Sequence, residues 1–365
     1  MKIYNQFISK IKDQRGATAV IIAIAITMLM GFVALAVDIG YVATTKNELQ
    51  NVADSGALAA TGYLGNIYTG MTSVQQQSYD CSTATSTNDC DSIIAEAQDV
   101  VGSGKNKAGG KDIIINTADV VIGKWNGTAL TFTPRNTQPD AVKVTARRDG
   151  GANGPITTFF AKIFGFDTVD VKADAIADLS GLSGVPSDGL PIPVGISEYW
   201  FDPLHWPEGG FCDQNIKFHP TGDLVGCAGW HVYDSWPSNA SKLAGILDGL
   251  TDGSFHSPAA NAGDSVFVFT GGTVASVFDE MQALYEANKD ADDKWETTVV
   301  VYGRDDCSNP QNEILIVGFA TAIITAVYDS PEKTIEATVI CENVEPGHGG
   351  GGEFGTMGSV PGLVE

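Results

Sequence analysis

The sequence predicts an α+β protein: one long N-terminal transmembrane and stalk helix, then a β-rich, two-lobed ectodomain of mainly antiparallel sheet with a few helices. Three observations carry this reading. Residues Ala17 to Val37 form an apolar run without charge or proline. The proline-free pattern then continues to Leu64. Beyond it, short β-branched or alternating runs recur between turn-forming residues, with few helical stretches among them. A chain of 365 residues can hold about two domains with cores of their own.

Residues 1–16 read as a basic cytoplasmic leader. Lys2, Lys10, Lys12 and Arg15 stand there against Asp13, while the whole chain carries −23. As a helix, the span 17–37 is about 31 Å long, which matches a hydrocarbon core of roughly 30 Å. Positive charge stays on the cytoplasmic side, so the body after Asp38 is placed outside. A signal peptide would have a shorter apolar region and a small-x-small cleavage site, and here the helix runs on past the "ALAVD" that could serve as one. Reading 17–64 as one helix gives about 70 Å, much of it a stalk beyond the bilayer. Its alanines and glycines would let a partner helix approach closely.

The first lobe is expected over 65–180. It opens with a polar loop from Asn66 to about Thr87. "DSIIAEAQDVVGSG" is a helix stopped by glycine. "DIIIN", "DVVIGKW", "ALTFTP", "AVKVTARR" and "VDVKADAIADL" are strands, with an Asn-Gly hairpin turn in "WNGT". "ITTFFAKIFGF" reads as a helix closed by Gly165. Residues 181–189 form a small-residue linker. The second lobe, 190–345, begins with the strand-like "LPIPVGIS". An aromatic loop follows, from Tyr199 to about Pro237. "SVFVFT", "TTVVVYG" and "TIEATVICE" are strands and "ASVFDEMQALYEANK" is a helix. "ILIVGFATAIITAV" is too short for a second span and reads as a buried strand or strand pair. Residues 346–365 are a glycine-rich tail, flexible and ending in a short apolar peptide.

Export makes disulfides available to the six cysteines. Six cysteines allow fifteen connectivities, and local spacing favours Cys81 with Cys90, Cys212 with Cys227, and Cys307 with Cys341. The acidic body repels phosphate backbones, which excludes nucleic acid as a partner.

The catalytic and metal motifs are weak. "GDS" at Gly263–Ser265, with Asp202 and His205, has the chain order of a GDSL-type hydrolase reversed. "SPEK" at Ser330–Lys333 has no supporting motif. Asp290, Asp292 and Asp293 lack the glycine and glutamate of a calcium loop. "CAGWH" at Cys227–His231 lacks paired zinc ligands. "DLSGLS" from Asp178 fails an Asp-x-Ser-x-Ser pattern at Leu182. No catalytic, metal or cofactor residues are assigned. The expected protein is therefore non-enzymatic; the alternative is a membrane-tethered hydrolase or ligand-binding protein using the loop region from His205 to His231.

"RGATAV" before the span, "LAVDIGY" at its exit and "ELQNVADSGALAAT" after it resemble the N-terminal segment of TadG-like and TadE-like proteins of the tight-adherence (Tad, Flp) pilus-assembly system, over about residues 14–61. The resemblance implies a bacterial inner-membrane protein, single-pass, with its N-terminus cytoplasmic and its body periplasmic or at the cell surface. It implies a pilus assembly factor or a minor, adhesive subunit. Its partners would be other pilus-apparatus proteins met through the N-terminal helix, the inner membrane, and a second copy. Gly16 and Ala17 form a candidate processing site. Ile21, however, stands where a prepilin carries glutamate, which argues against a major pilin. The candidate stalk interface is Asp38, Tyr41, Leu49, Gln50, Asn51, Ala53, Asp54 and Ala57.

Overall fold

The computed structural model describes residues 15–83, 89–102, 104, 106–206, 210–218, 223–271, 274–329 and 333–364. Residues 1–14 of the basic leader, Ser330 and the middle of the Cys81–Cys90 loop lie outside the described residues. The helices are α1 (Arg15–Thr69), α2 (Ser73–Gln77), α3 (Asp89–Val101), α4 (Ala240–Asp252) and α5 (Phe278–Asn288). Among the described residues there are twenty strands, numbered in chain order. The first eight are β1 (Lys107–Ala108), β2 (Lys111–Asp112), β3 (Val120–Asn126), β4 (Thr131–Pro134), β5 (Ala141–Arg148), β6 (Ile156–Thr157), β7 (Thr168–Val169) and β8 (Val171–Asp178). Next come β9 (Gly184–Val185), β10 (Val194–Ser197), β11 (Gln214–Lys217), β12 (Ala228–His231), β13 (Ala260–Asn261), β14 (Val266–Thr270), β15 (Trp295–Tyr302) and β16 (Asn312–Tyr328). The last four are β17 (Thr334–Ile340), β18 (Asn343–His348), β19 (Thr356–Val360) and β20 (Gly362–Leu363). The fold is thus α+β, a long apolar N-terminal helix followed by mainly antiparallel sheet.

Two compact units divide the chain. One comprises Met1–Gly56, Gln98–Val120 and Val144–Ala175; the other Ala57–Ala97, Val121–Lys143 and Ile176–Glu365. Helix α1 has 55 residues and no proline, and it runs five residues past the expected end. Thr72 then starts α2 with a capping box: its hydroxyl accepts from the Gln75 amide, and the Gln75 side chain accepts from the Thr72 amide. That Thr-x-x-Gln signal sat inside the stretch read as a polar loop.

In the first unit, Arg148 is the organising residue. It is buried, and its guanidinium donates to the carbonyls of Ala108, Gly109, Gly154 and Pro155. This ties the β1–β2 turn, where Gly109 has φ +57°, to the turn after β5. "DIIIN" is strand only at its start. "ITTFFAKIFGF" is not an α-helix but the β6–β7 ribbon, whose tip is a single 3-10 turn, Ala161–Phe164, stopped by Gly165 at φ +86°. None of the turn's four residues is buried, so no core face exists to extend it into a helix.

In the second unit a seven-stranded sheet has the order β11-β17-β16-β14-β12-β10-β15, and β15 pairs back onto β16. The pairings β16–β14–β12–β10–β15–β16 therefore close a ring of five strands, and β17 and β11 extend from β16 outside it. Strand β16 makes closure possible. Its 17 residues pair with β14 near Asn312–Leu315, with β15 from Ile316 to Ile324, and with β17 from Thr321 to Tyr328. The apolar run in this segment is one long strand. The core around the ring is aromatic, with Trp200, Trp230, Tyr233, Phe267, Phe269 and Phe319 all buried. Burying each such side chain stabilises the fold by roughly 1.5–3 kcal/mol. Helix α4, absent from the sequence-based reading, buries Leu243, Ile246 and Leu247 at helical spacing. It is capped by Asn239 and closed by Gly253 at φ +78°.

Only one cysteine pair matches local spacing. The disulfides are Cys81–Cys90, Cys212–Cys341 and Cys227–Cys307. The pairings Cys212–Cys227 and Cys307–Cys341 are corrected, and the sheet gives the reason. Strand β11 pairs antiparallel with β17, Gln214 opposite Val339, so continuing that register places Cys212 opposite Cys341. Strands β12 and β15 both flank β10, which brings Cys227 and Cys307 to the same end of it.

The glycine-rich tail is not a free linker. It forms β18 and β19, paired in parallel, and then β20 on the edge of β8 in a sheet of order β20-β8-β5-β3-β4. Its glycines allow close backbone approach. A Cβ at Gly65 of α1 would run into the carbonyl of Ser359 in β19. The small residues of the late stalk thus meet this chain's own strand. Gln76 fixes the same region: its side-chain amide accepts from Val344 N at 2.8 Å and donates to Val344 O at 3.2 Å and Tyr68 O at 3.0 Å. It stands in for a strand partner. Gln76→Ala leaves these buried backbone groups unpaired and is expected to destabilise the protein by about 2–3 kcal/mol. Denaturant unfolding of the detergent-solubilised chain measures this, with Gln77→Ala, at an exposed position of the same helix, as the control.

Candidate functional site

From Thr18 onward, the first part of α1 presents its apolar side chains outward, among them Ile21, Met30, Phe32 and Val33. It has the length and hydropathy of a membrane span, and none of its most apolar window is buried. Gly16 and Ala17 lie in the first turn of this helix. One N-terminal apolar helix of this kind is compatible with a single-pass anchor.

At the end of the run, Asp38 is buried although it is charged and carried by an apolar helix. Its carboxylate accepts from the amides of Phe159, Phe160 and Ala161 at 2.8, 2.9 and 2.6 Å. Three convergent amides around a carboxylate form a charge-assisted clamp. One turn on, the Tyr41 hydroxyl donates to Gly109 O at 2.9 Å, and its ring packs edge-on against Phe159. Glu48 accepts from Gly109 N at 2.6 Å. Gln50 donates to Asp54 and to the carbonyl of Asp174. Leu49, Ala53 and Ala57 are fully buried. Most of the eight stalk residues are therefore engaged inside the chain, Asp54 is half-buried, and Asn51 is exposed. The clamp's amide donors on the loop, and Arg148, were not singled out from sequence. The density of phenylalanine in "FFAKIFGF" was the available signal for the loop.

The enzyme-like motifs are committed to local bonds. Ser265 Oγ accepts from Asn261 N, Asp202 accepts from Leu204 N, and the His205 ring packs at a tilt against Tyr199. His231 is fully buried, and its Nδ1 accepts from Tyr233 N. Burial pushes its pKa down to about 3, which leaves a neutral core histidine. Asp290 closes its own turn by accepting from the amides of Asp292 and Lys294. Among the described residues, no three His, Cys, Asp or Glu side chains gather as metal ligands.

Two acid-lined cavities remain in the second unit. One, of about 510 Å³, is lined by Trp125, Asp140, Asp178, Ser180 and Glu353 among others. Burial raises Asp140 to about 7, against the opposing bond from Trp125 N. Burial, then Glu353, raises Asp178 to about 6. The other cavity, about 330 Å³, holds Glu345, raised to about 7 by burial and then by Glu296. All three folded values exceed the ordinary unfolded ones, so the folded state holds extra protons between about pH 4 and 7. Their stabilising contribution is complete below that window and is lost as pH rises through it. The unfolding midpoint in detergent is expected to be several degrees lower at pH 8 than at pH 5. Asp140→Asn keeps an acceptor for Trp125 N and should flatten that dependence; an unchanged slope would contradict the assignment.

The parts define a class: a β-rich, disulfide-bonded body carried by one N-terminal apolar helix. Comparison with known families is more particular. Residues 16–62 match a family model described as Flp pilus-assembly TadE/G-like, and residues 76–177 match one described as Tad-like Flp pilus-assembly. Together the two matches cover most of α1, then α3 and the strands from β1 into β8, and make these segments similar to Tad-type Flp pilus-assembly proteins. Neither a curated protein nor a solved structure matches the chain.

Proposed function

We propose that the chain is a non-enzymatic, membrane-anchored and extracytoplasmic component of a Tad/Flp-type pilus apparatus, an assembly factor or a minor subunit. The observation that carries this is the two-part family match, which begins at Gly16, where the apolar helix begins. The +3 leader supports a cytoplasmic N-terminus, and three disulfides support a body on the oxidising side. Of the stalk residues, Asn51 is the one offered openly to another apparatus protein or a second copy. A body of some 300 residues is too bulky for the dense core of a major pilin, as the Ile21 position also argues.

The test is intact mass and N-terminal sequencing of the protein from inner membrane and from material sheared off cells. A chain starting at Met1 and confined to the membrane identifies an assembly factor. A chain starting at Ala17 in the sheared fraction identifies a fibre subunit. A start beyond Val37 in all fractions would refute the anchored reading.

A further inference from the structure

The loop between β6 and β7 exposes five large apolar side chains: Phe159, Phe160, Ile163, Phe164 and Phe166. Ile163 and Phe164 are the extremes, at 75% and 73% exposed. An eight-residue stretch this apolar has no place on a wetted surface unless something covers it. Two observations say what does. The Asp38 carboxylate holds the backbone of the loop at the end of the apolar run of α1. Phe160 then lines one apolar groove with Leu29, Met30, Val33 and Val37, all on the face expected to meet lipid. Val33 lies about 7 Å deeper along the helix axis than Asp38.

We propose that the Phe159–Phe166 loop is a second membrane contact, dipping beside α1 into the headgroup–acyl boundary of the outer leaflet. The inference rests on α1 being the membrane anchor. The chemistry suits that boundary. Aromatic rings favour the interface, apolar segments lie about 5–10 Å into it, and Lys162 can reach back to lipid phosphates. Bonds within the loop brace it further: Thr158 donates to Phe166 O at 2.6 Å, and its amide to Asp167 O. With the loop clamped to the helix at Asp38, α1 meets the bilayer at two points, and its rotation about its own axis is fixed.

The test uses the full chain with its disulfides intact, reconstituted in nanodiscs of phosphatidylcholine and phosphatidylglycerol. Ile163→Cys carries an environment-sensitive fluorophore, and a nitroxide on the lipid acyl chain near the headgroup serves as quencher. Leu29→Cys is the anchor control and Leu130→Cys, on an exposed turn, the water control. The label at Ile163 is expected to emit blue-shifted light and to be quenched several-fold more than the label at Leu130. Quenching at Leu29 with a solvent-exposed label at Ile163 overturns the inference and leaves the anchor standing. No quenching at Leu29 overturns the anchor itself. A label at Ile163 that is shielded from water, unquenched by lipid and close to its copy on another chain shows a protein interface, which also overturns it.

Discussion

Replacing Cys227 and Cys307 together by serine is expected to destabilise the protein by on the order of 4 kcal/mol, since the bridge closes a loop of 80 residues. That is a large share of a typical domain's stability. The bridge ties the ends of β12 and β15 to either side of β10, where Ser197 donates to the carbonyls of Arg304 and Asp306. Its loss should therefore loosen the closed ring specifically. Hydrogen exchange should rise first in β10 and β15 and little in the β1–β2 and β6–β7 ribbons. A non-reducing peptide map checks the pairing directly: a linked Cys212–Cys227 peptide in the native protein would overturn it.

Arg148→Ala is expected to cost on the order of 3 kcal/mol, because it removes bonds to four carbonyls at once and leaves the buried one of Ala108 without this donor. The loss should appear as fast exchange and proteolysis over residues 106–112 and 153–155, where its bonds end. Arg148→Lys should recover only part of this. An ammonium lacks the planar fork that reaches four acceptors in fixed directions.

The parts of this fold that were legible in the sequence are those where a local pattern settles the structure. Ala17–Val37 is helical because neither charge nor proline interrupts it, and from Thr18 on its side chains face mostly outward. The "WNG" hairpin is present, although the loop from Gly127 to Leu130 is longer than a two-residue turn and Asn126 caps it through Ala129 N. Helix α4 was legible in principle, from Asn239 as N-cap and Gly253 as stop, and was passed over among the glycines of "LAGILDGLTDG". What the sequence could not show is long-range. The partners of Cys212 and Cys307 depend on which strands become neighbours, and spacing along the chain is blind to that. The stalk residues read as an interface for a partner helix; their engagement with Gly109, Phe159 and Asp174 inside the chain is a tertiary fact. A helix with small residues looks the same whether it meets a partner helix or its own β19.

The ring's topology also sets a timetable. Cys212 waits for Cys341, 129 residues further along the chain. At a synthesis-coupled rate of roughly 5–20 residues per second, the first thiol stands exposed for about 6–26 s before its mate emerges. During that interval Cys227 is the nearest thiol. An oxidant acting as the chain threads outward would join Cys212 to Cys227, the very pairing that local spacing favours. On the proposed extracytoplasmic topology, cells lacking disulfide isomerisation are expected to accumulate the chain with Cys212 joined to Cys227, which a non-reducing peptide map of chain from such cells checks.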